Sequence, residues 1–306
     1  MKFHQLRYIH EVAKNKLNIS LTAETLHTSQ PGVSKQVQLL EEELNMQIFQ
    51  RNGKRLIGIT EPGAIVIRHA QRIMREMENI KRVGDEFANV STGTLTIATT
   101  HTQARYKLPI AVKTFMSIHP EIKLNIHQGS PSQVSEQIVN GEADIGIATE
   151  SISSYEEIFC LPCYQWNRCV VMPHGHPLLT EKILTLEKIA QYPIVTYDYA
   201  FTGSTIVNQV FHDAGVEPNV VLTAIDADVI KTYVSLGLGI GLLAQMAYDT
   251  ERDNNLAMLD VSHLFPPSTT YLGVRKDAFL RSYMYDFILQ LTSGYSRKDI
   301  ERALTM

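Results

Sequence analysis

Apolar residues at the start of the chain recur at intervals of three and four, the spacing that places them on one face of an α-helix. The first helix is predicted from the apolar stripe Leu6, Ile9 and Val12. A short second helix over about 20–26 follows, and a third begins after Ser29, whose hydroxyl suits a helix start, with Pro31 in its first turn. The third helix has a buried stripe made of Val33, Val37, Leu40 and Leu44. The tight connection at 27–28 makes the second and third helices a helix-turn-helix.

The segment after the third helix predicts a β-hairpin, because Asn52-Gly53 has turn chemistry between two short extended runs. Arg51, Lys54 and Arg55 crowd that turn. If the third helix reads DNA, a basic hairpin beside it would be the wing of a winged helix-turn-helix, and its cations would contact phosphates or the minor groove. The alternative is a solvated loop.

The polar face of the third helix carries uncharged hydrogen-bonding groups and one cation, Lys35. Such a face suits the major groove, where Gln pairs with adenine and Lys with guanine or phosphate. An ordinary surface helix pair is the alternative that the pattern alone leaves open. The residues that we expect to contact DNA are Ser29, Gln30, Ser34, Lys35, Gln38, Arg51, Lys54 and Arg55.

A long helix is predicted from Glu61, which follows Thr60 and precedes Pro62, to about Phe87. Its apolar residues alternate spacings of four and three over about three heptads. This seam consists of Val66, Ala70, Ile73, Met77, Ile80, Gly84 and Phe87. A lone amphipathic helix would leave the seam in water, so we expect it to pair with the same helix of a second chain. The resulting dimer would place two recognition helices in successive major grooves.

From residue 91 the pattern changes to β-branched runs that alternate with helical segments, as in 91–100, 123–128 and 143–150. This alternation predicts an open, largely parallel sheet covered by helices. A second unit begins near Pro162, and the chain returns to the first near Pro266. The predicted domains are a winged helix-turn-helix at 1–60, a linker helix at 61–90 and an effector domain at 91–306. Within the last, lobe I comprises 91–162 and 267–306, and lobe II comprises 163–266.

Polar side chains follow the predicted strands at their carboxyl ends, where open α/β sheets bind ligands. Thr100, Thr102 and Gln103 follow the first strand, Thr149 ends the third, and Thr202 precedes a helix of lobe II. Hydroxyls, an amide and backbone N–H groups directed at one place favour an anion. For each threonine taken alone, a simple helix cap is the alternative.

Composition changes this picture in one respect. The chain of 306 residues, 44% apolar, is long enough for two or three domains, and its net charge of -4 would argue against nucleic acid if it were uniform. Residues 1–75 instead hold eleven Lys and Arg against six Asp and Glu, so the basic excess lies on the predicted DNA-binding part. The N-terminal segment has no apolar core typical of a secretory signal, and 236–247 is too short to span a bilayer. We therefore expect a cytoplasmic protein.

Cys160, Cys163 and Cys169 fall close together, and a C-x2-C pair invites a zinc or redox interpretation. A structural zinc site needs about four ligands and no second pair follows, so we expect no metal and buried, idle thiols. An enzyme would need a catalytic constellation, but Cys163, His101 and Asp198 form no recognisable catalytic motif. A transport-type solute-binding protein would explain two lobes but not the DNA-binding segment. No catalytic residue is therefore expected.

The stretch 20–51 resembles the helix-turn-helix of the LysR family of bacterial transcriptional regulators. Two positions depart from the family pattern: Glu24 replaces a small residue and Asn45 replaces a glycine. Asn is the next-best residue in the left-handed conformation that ends a helix, so we expect the fold to survive the second change. The residues at the marked positions of the family are Ala23, Leu26, Ser29, Gln30, Pro31, Val33, Ser34, Leu40, Glu41, Leu44, Phe49, Arg51, Thr60 and Gly63.

The effector region is similar to the sulfur-assimilation branch of that family, in the segments 99–106, 127–131, 141–150, 202–204, 226–244 and 279–288. That branch comprises cysteine-regulon activators and a paralogue controlling sulfonate use, and the sequence leaves the choice between them open. In it a sulfate-sized anion is held between two lobes that resemble periplasmic solute-binding proteins. The matching residues are Thr100, Thr102, Gln103, Thr149 and Thr202, with Trp166 near the cleft.

The resemblance implies a fold made of an N-terminal all-α winged helix-turn-helix, a long linker helix and a C-terminal α/β two-lobed effector domain. It implies a transcriptional activator of cysteine biosynthesis genes that has no cofactor. Its effector would be sulfate, O-acetylserine, N-acetylserine or adenosine phosphosulfate. Its partners would be double-stranded promoter DNA, RNA polymerase and further copies of the chain in a homodimer or homotetramer.

Overall fold

The computed structural model describes residues 1–53, 55–88, 90–198 and 202–304, and the side chains of all of these except 202–205. The chain divides into two compact units, Met1–Asp85 and Glu86–Met306. Unit 1 contains three helices and a hairpin, followed by most of a long helix. These elements are α1 (Phe3–Lys14), α2 (Ile19–Thr25), α3 (Gln30–Leu44), β1 (Phe49–Asn52), β2 (Arg55–Ile59) and α4 (Glu61–Phe87).

Local sequence determines both ends of α3. The Ser29 hydroxyl accepts a hydrogen bond from the Gly32 N–H at 3.2 Å, with Pro31 in the first turn. Asn45 ends the helix in the left-handed region at φ 48°, which confirms the role expected from the sequence. Val33, Val37 and Leu40 are fully buried against α1, as the stripe predicts.

The helix α4 has two different halves. Val66 and Ala70, the first members of the predicted seam, pack on the core of the helix-turn-helix, so the seam does not begin there. Farther along, Met77 and Ile80 are exposed, Ile80 to 70%. The uncovered part of the predicted seam therefore begins at Ile73, which is 39% exposed.

Unit 2 consists of two five-stranded sheets with helices against them. The sheet of lobe I has the order β4-β3-β5-β12-β6, and the sheet of lobe II has the order β11-β7-β10-β8-β9. The strands are β3 (Gly93–Thr99), β4 (Ile122–Gln128), β5 (Ile145–Ala148), β6 (Ile158–Trp166), β7 (Arg168–Pro173), β8 (Ile194–Tyr197), β9 (Val220–Ala224), β10 (Ile240–Ala244), β11 (Leu256–Asp260) and β12 (Ser268–Arg275).

The helices of unit 2 are α5 (His101–Tyr106), α6 (Leu108–Ile118), α7 (Pro131–Asn140), α8 (Leu186–Ala190), α9 (Thr202–Asp213), α10 (Ala227–Ser235), α11 (Ser282–Leu291) and α12 (Arg297–Leu304). A capping box of Ser130 and Gln133 starts α7, as predicted. The outer face of α10 exposes Val229, Tyr233 and the following Leu236. Among the described helices, none is long and apolar enough to cross a bilayer.

The prediction of largely parallel sheets was wrong for the strands at the crossings. β12 is antiparallel to β5 and β6, and β7 is antiparallel to β10 and β11. The continuous run 161–173 looks like one strand but is two, β6 in lobe I and β7 in lobe II, separated by Asn167. The predicted end of lobe I at 162 therefore falls inside β6, because the pairing with β12 holds this strand in the first sheet as far as Trp166.

Candidate functional site

A small polar cavity lies between the two lobes of unit 2. Its volume is about 40 Å³, room for about three water molecules. Most of its wall comes from the ends of β3, β5 and β6, and lobe II closes the other side. The lining residues are Thr100, His101, Thr102, Gln103, Pro131, Thr149 and Trp166 of lobe I and Tyr197, Ile225 and Ala244 of lobe II.

Two of the lining threonines occupy helix-start positions without capping a helix. Thr100 precedes α5 and Thr149 precedes the short 3-10 helix at 150–154, yet neither side chain bonds to the backbone of its turn. At other helix starts the side chain does cap, as with Thr185 of α8 and Asp226 of α10. The simple explanation of these two threonines as helix caps therefore fails.

Three buried polar atoms at this cavity have no hydrogen-bond partner among the described residues: Thr149 Oγ1, Trp166 Nε1 and His101 Nδ1. Each such atom costs about 1–3 kcal/mol relative to a satisfied one. An indole N–H only donates, and a hydroxyl can donate. A bound acceptor group would therefore satisfy at least the Thr149 and Trp166 atoms at once.

The remaining predicted lobe I residues also reach the cavity. Gln103 is 1% exposed. It donates from Nε2 to Thr270 Oγ1 at 3.2 Å, and its Oε1 accepts from the Tyr164 hydroxyl. One amide hydrogen of Gln103 is left for a ligand. Thr102 forms a hydrogen bond with the Tyr197 hydroxyl across the lobes. The side chain of Thr202 lies outside the described residues, so its predicted role stays a prediction.

A buried cation lies behind the cavity, Arg168, a residue that the sequence did not point out, and the nearby Glu150 carboxylate offsets part of its charge. Arg168, 3% exposed, lies with its guanidinium 5.2 Å from the Trp166 ring centroid. It donates to the Pro266 carbonyl at 3.1 Å and to Ser268 Oγ at 2.9 Å. Burial lowers the pKa of Arg168, but a guanidinium is not deprotonated in proteins, so the charge stays.

Tyr197 lines the cavity from lobe II, and the sequence analysis did not assign it to ligand binding. Burial raises the pKa of its hydroxyl to about 12, so the group stays protonated and can donate. Its side chain comes from lobe II, whereas the threonines belong to lobe I. A ligand in the cavity would thus contact both lobes.

The two lobes are also joined by a cluster that we call the interlobe clasp: Arg105, Tyr106, Asp228 and Lys231. The Tyr106 hydroxyl donates to Asp228 Oδ1 at 2.6 Å, and Arg105 pairs with the other carboxylate oxygen. Burial opposes ionisation of Asp228, but the hydrogen bond from Tyr106 and the charges of Lys231 and Arg105 outweigh it and hold its pKa below the usual range. The clasp therefore connects α5 of lobe I to α10 of lobe II.

His101, Asp226 and Asp228 offer ligand atoms within 4.8 Å of one another, a spacing that could suit a metal ion. Asp228 is already bound by Arg105, Tyr106 and Lys231 in the clasp. A metal ion at Asp228 would have to displace the cations of Arg105 and Lys231 or lie beside them. This competition argues against a resident metal.

The three cysteines have the properties expected of idle thiols. Burial raises the pKa of Cys160 to about 11 and the pKa values of Cys163 and Cys169 to about 12. Thiolate is then scarce at neutral pH, and the thiolate is the form that reacts and binds metals.

The predicted DNA-reading residues of α3 all lie on its exposed face. Gln30 Nε2 donates to Ser20 Oγ at 2.6 Å, which fixes the Gln30 side chain at the start of the helix. Gln38 Nε2 donates to Glu42 at 2.8 Å. Ser34 and Lys35 lie between these two positions on the same surface. Arg55 of the wing is exposed, and Lys54 lies outside the described residues.

Arg51 has a partner inside the domain. Its Nη2 lies 2.8 Å from Glu41 Oε2, and the other oxygen of this buried carboxylate accepts from the N–H groups of Ile48 and Phe49. Arg51 and Glu41 therefore connect α3 to the start of the wing. The expected phosphate contact of Arg51 stays a prediction beside this structural role.

Comparison with known protein families identifies two matching regions. Residues 3–64 match the family described as "Bacterial regulatory helix-turn-helix protein, lysR family". Residues 88–295 match the family described as "LysR substrate binding domain". The two matches cover the helix-turn-helix surface and the cavity, respectively.

Similar proteins and a solved structure extend these matches over the whole chain. The regulator SsuR of Burkholderia cenocepacia is 52% identical over 94% of both chains, and the regulator CysB of the same organism is 48% identical over 99% of this chain and 97% of that one. The crystal structure of the cofactor-binding domain of the Cbl transcriptional regulator is 42% identical, with a TM-score of 0.68. The match covers 70% of this chain and 94% of the chain of the Cbl domain.

Proposed function

Because the chain belongs to the LysR family of bacterial helix-turn-helix transcriptional regulators, we propose that it activates genes of sulfur assimilation and cysteine biosynthesis in response to a small oxyanion held between its lobes. Like the proteins of its family, it is a DNA-binding regulator and not an enzyme. The relatives named CysB and Cbl support the assignment to sulfur metabolism, which the effector-domain segments also indicated.

The observation that carries the effector part of this proposal is the group of unpartnered atoms in the cavity. Thr149 Oγ1 and Trp166 Nε1 need an acceptor, and the buried Arg168 charge lies behind the Trp166 ring. An oxyanion has several oxygens and can accept from both donors at once. We therefore propose that sulfate, or the anionic group of an acetylserine-type metabolite, occupies this place.

Size restricts the ligand in this arrangement of the lobes. A cavity of about 40 Å³ accepts a compact tetrahedral anion but not the adenosine of adenosine phosphosulfate. A larger effector would place only its anionic group here and extend into the space beside His101. The lobes would have to open before either ligand entered.

On DNA, we propose that Gln30, Ser34 and Lys35 read bases while the wing cations bind phosphates. Each good base contact contributes about 1–3 kcal/mol of discrimination. Two chains would pair in the cytoplasm through the exposed row of α4, which includes Met77 and Ile80. Two such dimers would form a tetramer, and the tetramer would contact RNA polymerase at the promoter. Effector coupling of about 1–3 kcal/mol suffices to change DNA bending or polymerase contact.

The test is footprinting of the full chain on a sulfur-assimilation promoter, with and without sulfate, N-acetylserine and adenosine phosphosulfate. Wild-type protein should change its footprint with at least one of these ligands. Thr100→Val and Thr102→Val should abolish that change and leave DNA affinity intact. Gln30→Ala should instead flatten sequence preference and keep the ligand response. An unchanged response in both threonine variants would remove the cavity from the proposed mechanism.

A further inference from the structure

The connection between α2 and α3 is fixed by backbone hydrogen bonds. The N–H groups of Leu26, His27 and Thr28 donate to carbonyls of α2 at 2.9 to 3.1 Å. His27 makes the turn in the left-handed region, at φ 49°. Ala23 of α2 and Val33 of α3 are both buried in the core of unit 1. The two helices therefore hold the side chains on their outer surfaces in definite relative positions.

This connection brings Ser20, in the first turn of α2, next to Gln30, the first residue of α3. Gln30 Nε2 donates to Ser20 Oγ at 2.6 Å, although the two residues lie ten positions apart in the sequence. Both side chains are exposed. The hydrogen bond therefore lies on the surface that would face DNA and not in the core of the domain.

The hydrogen bond leaves Gln30 with the atoms that it needs to read a base. A side-chain amide has two N–H hydrogens and one oxygen, so Oε1 and one N–H remain after the bond to Ser20. Adenine presents an N6 donor and an N7 acceptor in the major groove, and this pair matches those two groups. A glutamine side chain loses rotamer freedom when it binds. Because Ser20 already restricts Gln30, part of that entropy is lost before DNA arrives.

Ser20 also keeps a group for DNA. A hydroxyl can accept and donate at the same time, so Ser20 Oγ can accept from Gln30 while its own hydrogen donates elsewhere. In a helix-turn-helix the first helix crosses the DNA backbone, and the N-terminal residues of the second helix contact base edges. Ser20 belongs to the first of these helices and Gln30 begins the second. The two side chains can therefore connect a phosphate to a base.

A second amide of α3 provides a contrast. Gln38 Nε2 donates to Glu42 Oε1 at 2.8 Å, one helical turn farther along the same helix. An ionised carboxylate has no hydrogen to donate and repels a phosphate. The pair of Gln38 and Glu42 cannot extend to the DNA backbone in the way that Gln30 and Ser20 can.

We propose that Ser20 is a positioning residue for base recognition. Its hydroxyl donates to a DNA phosphate and accepts from the Gln30 amide, so the phosphate contact orients the amide for the base. The inference rests on the proposed function, because it assumes that Gln30 reads a base. It adds a residue of α2 to a reading surface that otherwise comprises α3 and the wing.

The experiment selects binding sites from a randomised DNA library with the full chain and then measures affinities for the selected sites and their single-base variants. Gln30→Ala identifies the base pair that Gln30 reads. Ser20→Ala should reduce the preference at that base pair by about 3- to 10-fold, the range expected for the loss of one hydrogen bond. In the double variant with Gln30→Ala, the loss of Ser20 should not reduce this preference further. Ser20→Thr keeps the hydroxyl and should restore the preference.

Two control variants separate this role from other effects. Thr25→Ala removes another exposed hydroxyl of α2, one that donates to the Leu21 carbonyl at 2.9 Å, and it should leave every base preference unchanged. Arg55→Gln should lower the slope of log affinity against log salt concentration by about one unit, because it removes a cation from a phosphate contact. Ser20→Ala should leave that slope unchanged, since a neutral hydroxyl releases no counterion.

The phosphate part of the inference can be tested with the wild-type protein alone. Selected sites are prepared with single methylphosphonate groups, each of which replaces one charged phosphate oxygen with a methyl group. At one position of the backbone this replacement should reduce the preference at the base pair that Gln30 reads, as Ser20→Ala does. This comparison needs no variant, so poor folding of Ser20→Ala would not remove the test.

Three results would overturn the inference: an unchanged base preference in Ser20→Ala, an equal loss of affinity for all DNA sequences, or an independent effect of Ser20→Ala in the double variant. The second result would mean that Ser20 contacts phosphate without orienting Gln30. If Gln30→Ala itself changed no base preference, the base reading in the proposed function would be wrong, and the role of Ser20 would be refuted with it.

Discussion

Replacing Thr149 with valine should stabilise the ligand-free protein while weakening anion binding. Valine has nearly the same shape as threonine, and the Thr149 hydroxyl is buried without a partner in the described structure. Burying an unpaired hydroxyl costs about 1–3 kcal/mol in protein mutational data. We therefore expect the free energy of unfolding to rise by about 1 kcal/mol, at the low end of that range, and the Tm of unit 2 by about 2–4 °C.

The same substitution removes a donor to a charged ligand. A hydrogen bond to a charged group contributes about 1.5–3 kcal/mol, so sulfate affinity should fall about 10- to 100-fold. Thermal unfolding with and without sulfate measures both effects together, because a ligand that binds only the folded state raises Tm with its concentration. The variant should begin from a higher Tm and gain less from added sulfate.

Thr99→Val is the matched control. The Thr99 side chain is equally buried, but its hydroxyl donates to the Ile147 carbonyl at 2.9 Å. Its loss should destabilise the protein by about 1 kcal/mol and leave sulfate affinity unchanged. If Thr149→Val destabilised the protein as much as Thr99→Val did, the Thr149 hydroxyl would have a structural partner and the reasoning would be refuted. Unchanged sulfate affinity in Thr149→Val would refute its role in binding.

Three further outcomes are expected. Arg51→Gln should lower the free energy of unfolding of unit 1 by about 1–2 kcal/mol, because it leaves the buried Glu41 without its cation. Denaturant unfolding measures this free energy, and an unchanged value would contradict the structural role of the pair. The Asp228 pKa is lowered by the clasp, so its contribution to stability is present above the unfolded-state pKa and is lost as pH falls through the folded-state pKa. Asp228→Asn should therefore flatten the acid limb of a pH–stability curve, and an unaltered limb would argue against the clasp. If two chains pair through the exposed row of α4, as proposed, Ile80→Glu should dissociate them in sedimentation experiments, and an intact oligomer would exclude that row as the interface.

The elements that depend on local sequence were predictable. The α3 stripe, the Ser29 cap and the left-handed Asn45 involve residues within a few positions of one another, and the structure confirms each. The capping box of Ser130 and Gln133 is of the same kind. Local backbone chemistry decides such features, so the sequence alone contains the information.

The crossings between lobes were not predictable in the same way. β6 and β7 form one nearly continuous extended run, and only the pairing of β6 with the distant β12 shows where one sheet ends. The sheet direction was wrong for a related reason, since the alternation of strands and helices says nothing about strands that follow each other directly. Long-range pairing decides both.

The candidate site falls between these cases. Thr100, Thr102, Gln103, Thr149 and Trp166 were all expected at a ligand site, and the structure brings them to one cavity. The contribution of Arg168 could not be seen, because it comes from β7, across the crossing from Trp166. That Thr149 caps nothing is likewise visible only in three dimensions.

The helix α10 links the interior of the effector unit to its surface. Its N-cap, Asp226, borders the space between the lobes and Asp228 of its first turn belongs to the clasp, while Val229 and Tyr233 are exposed to solvent. A nine-residue helix is a short rigid rod. A ligand that moved the start of this helix would therefore also move the exposed side chains of Val229 and Tyr233.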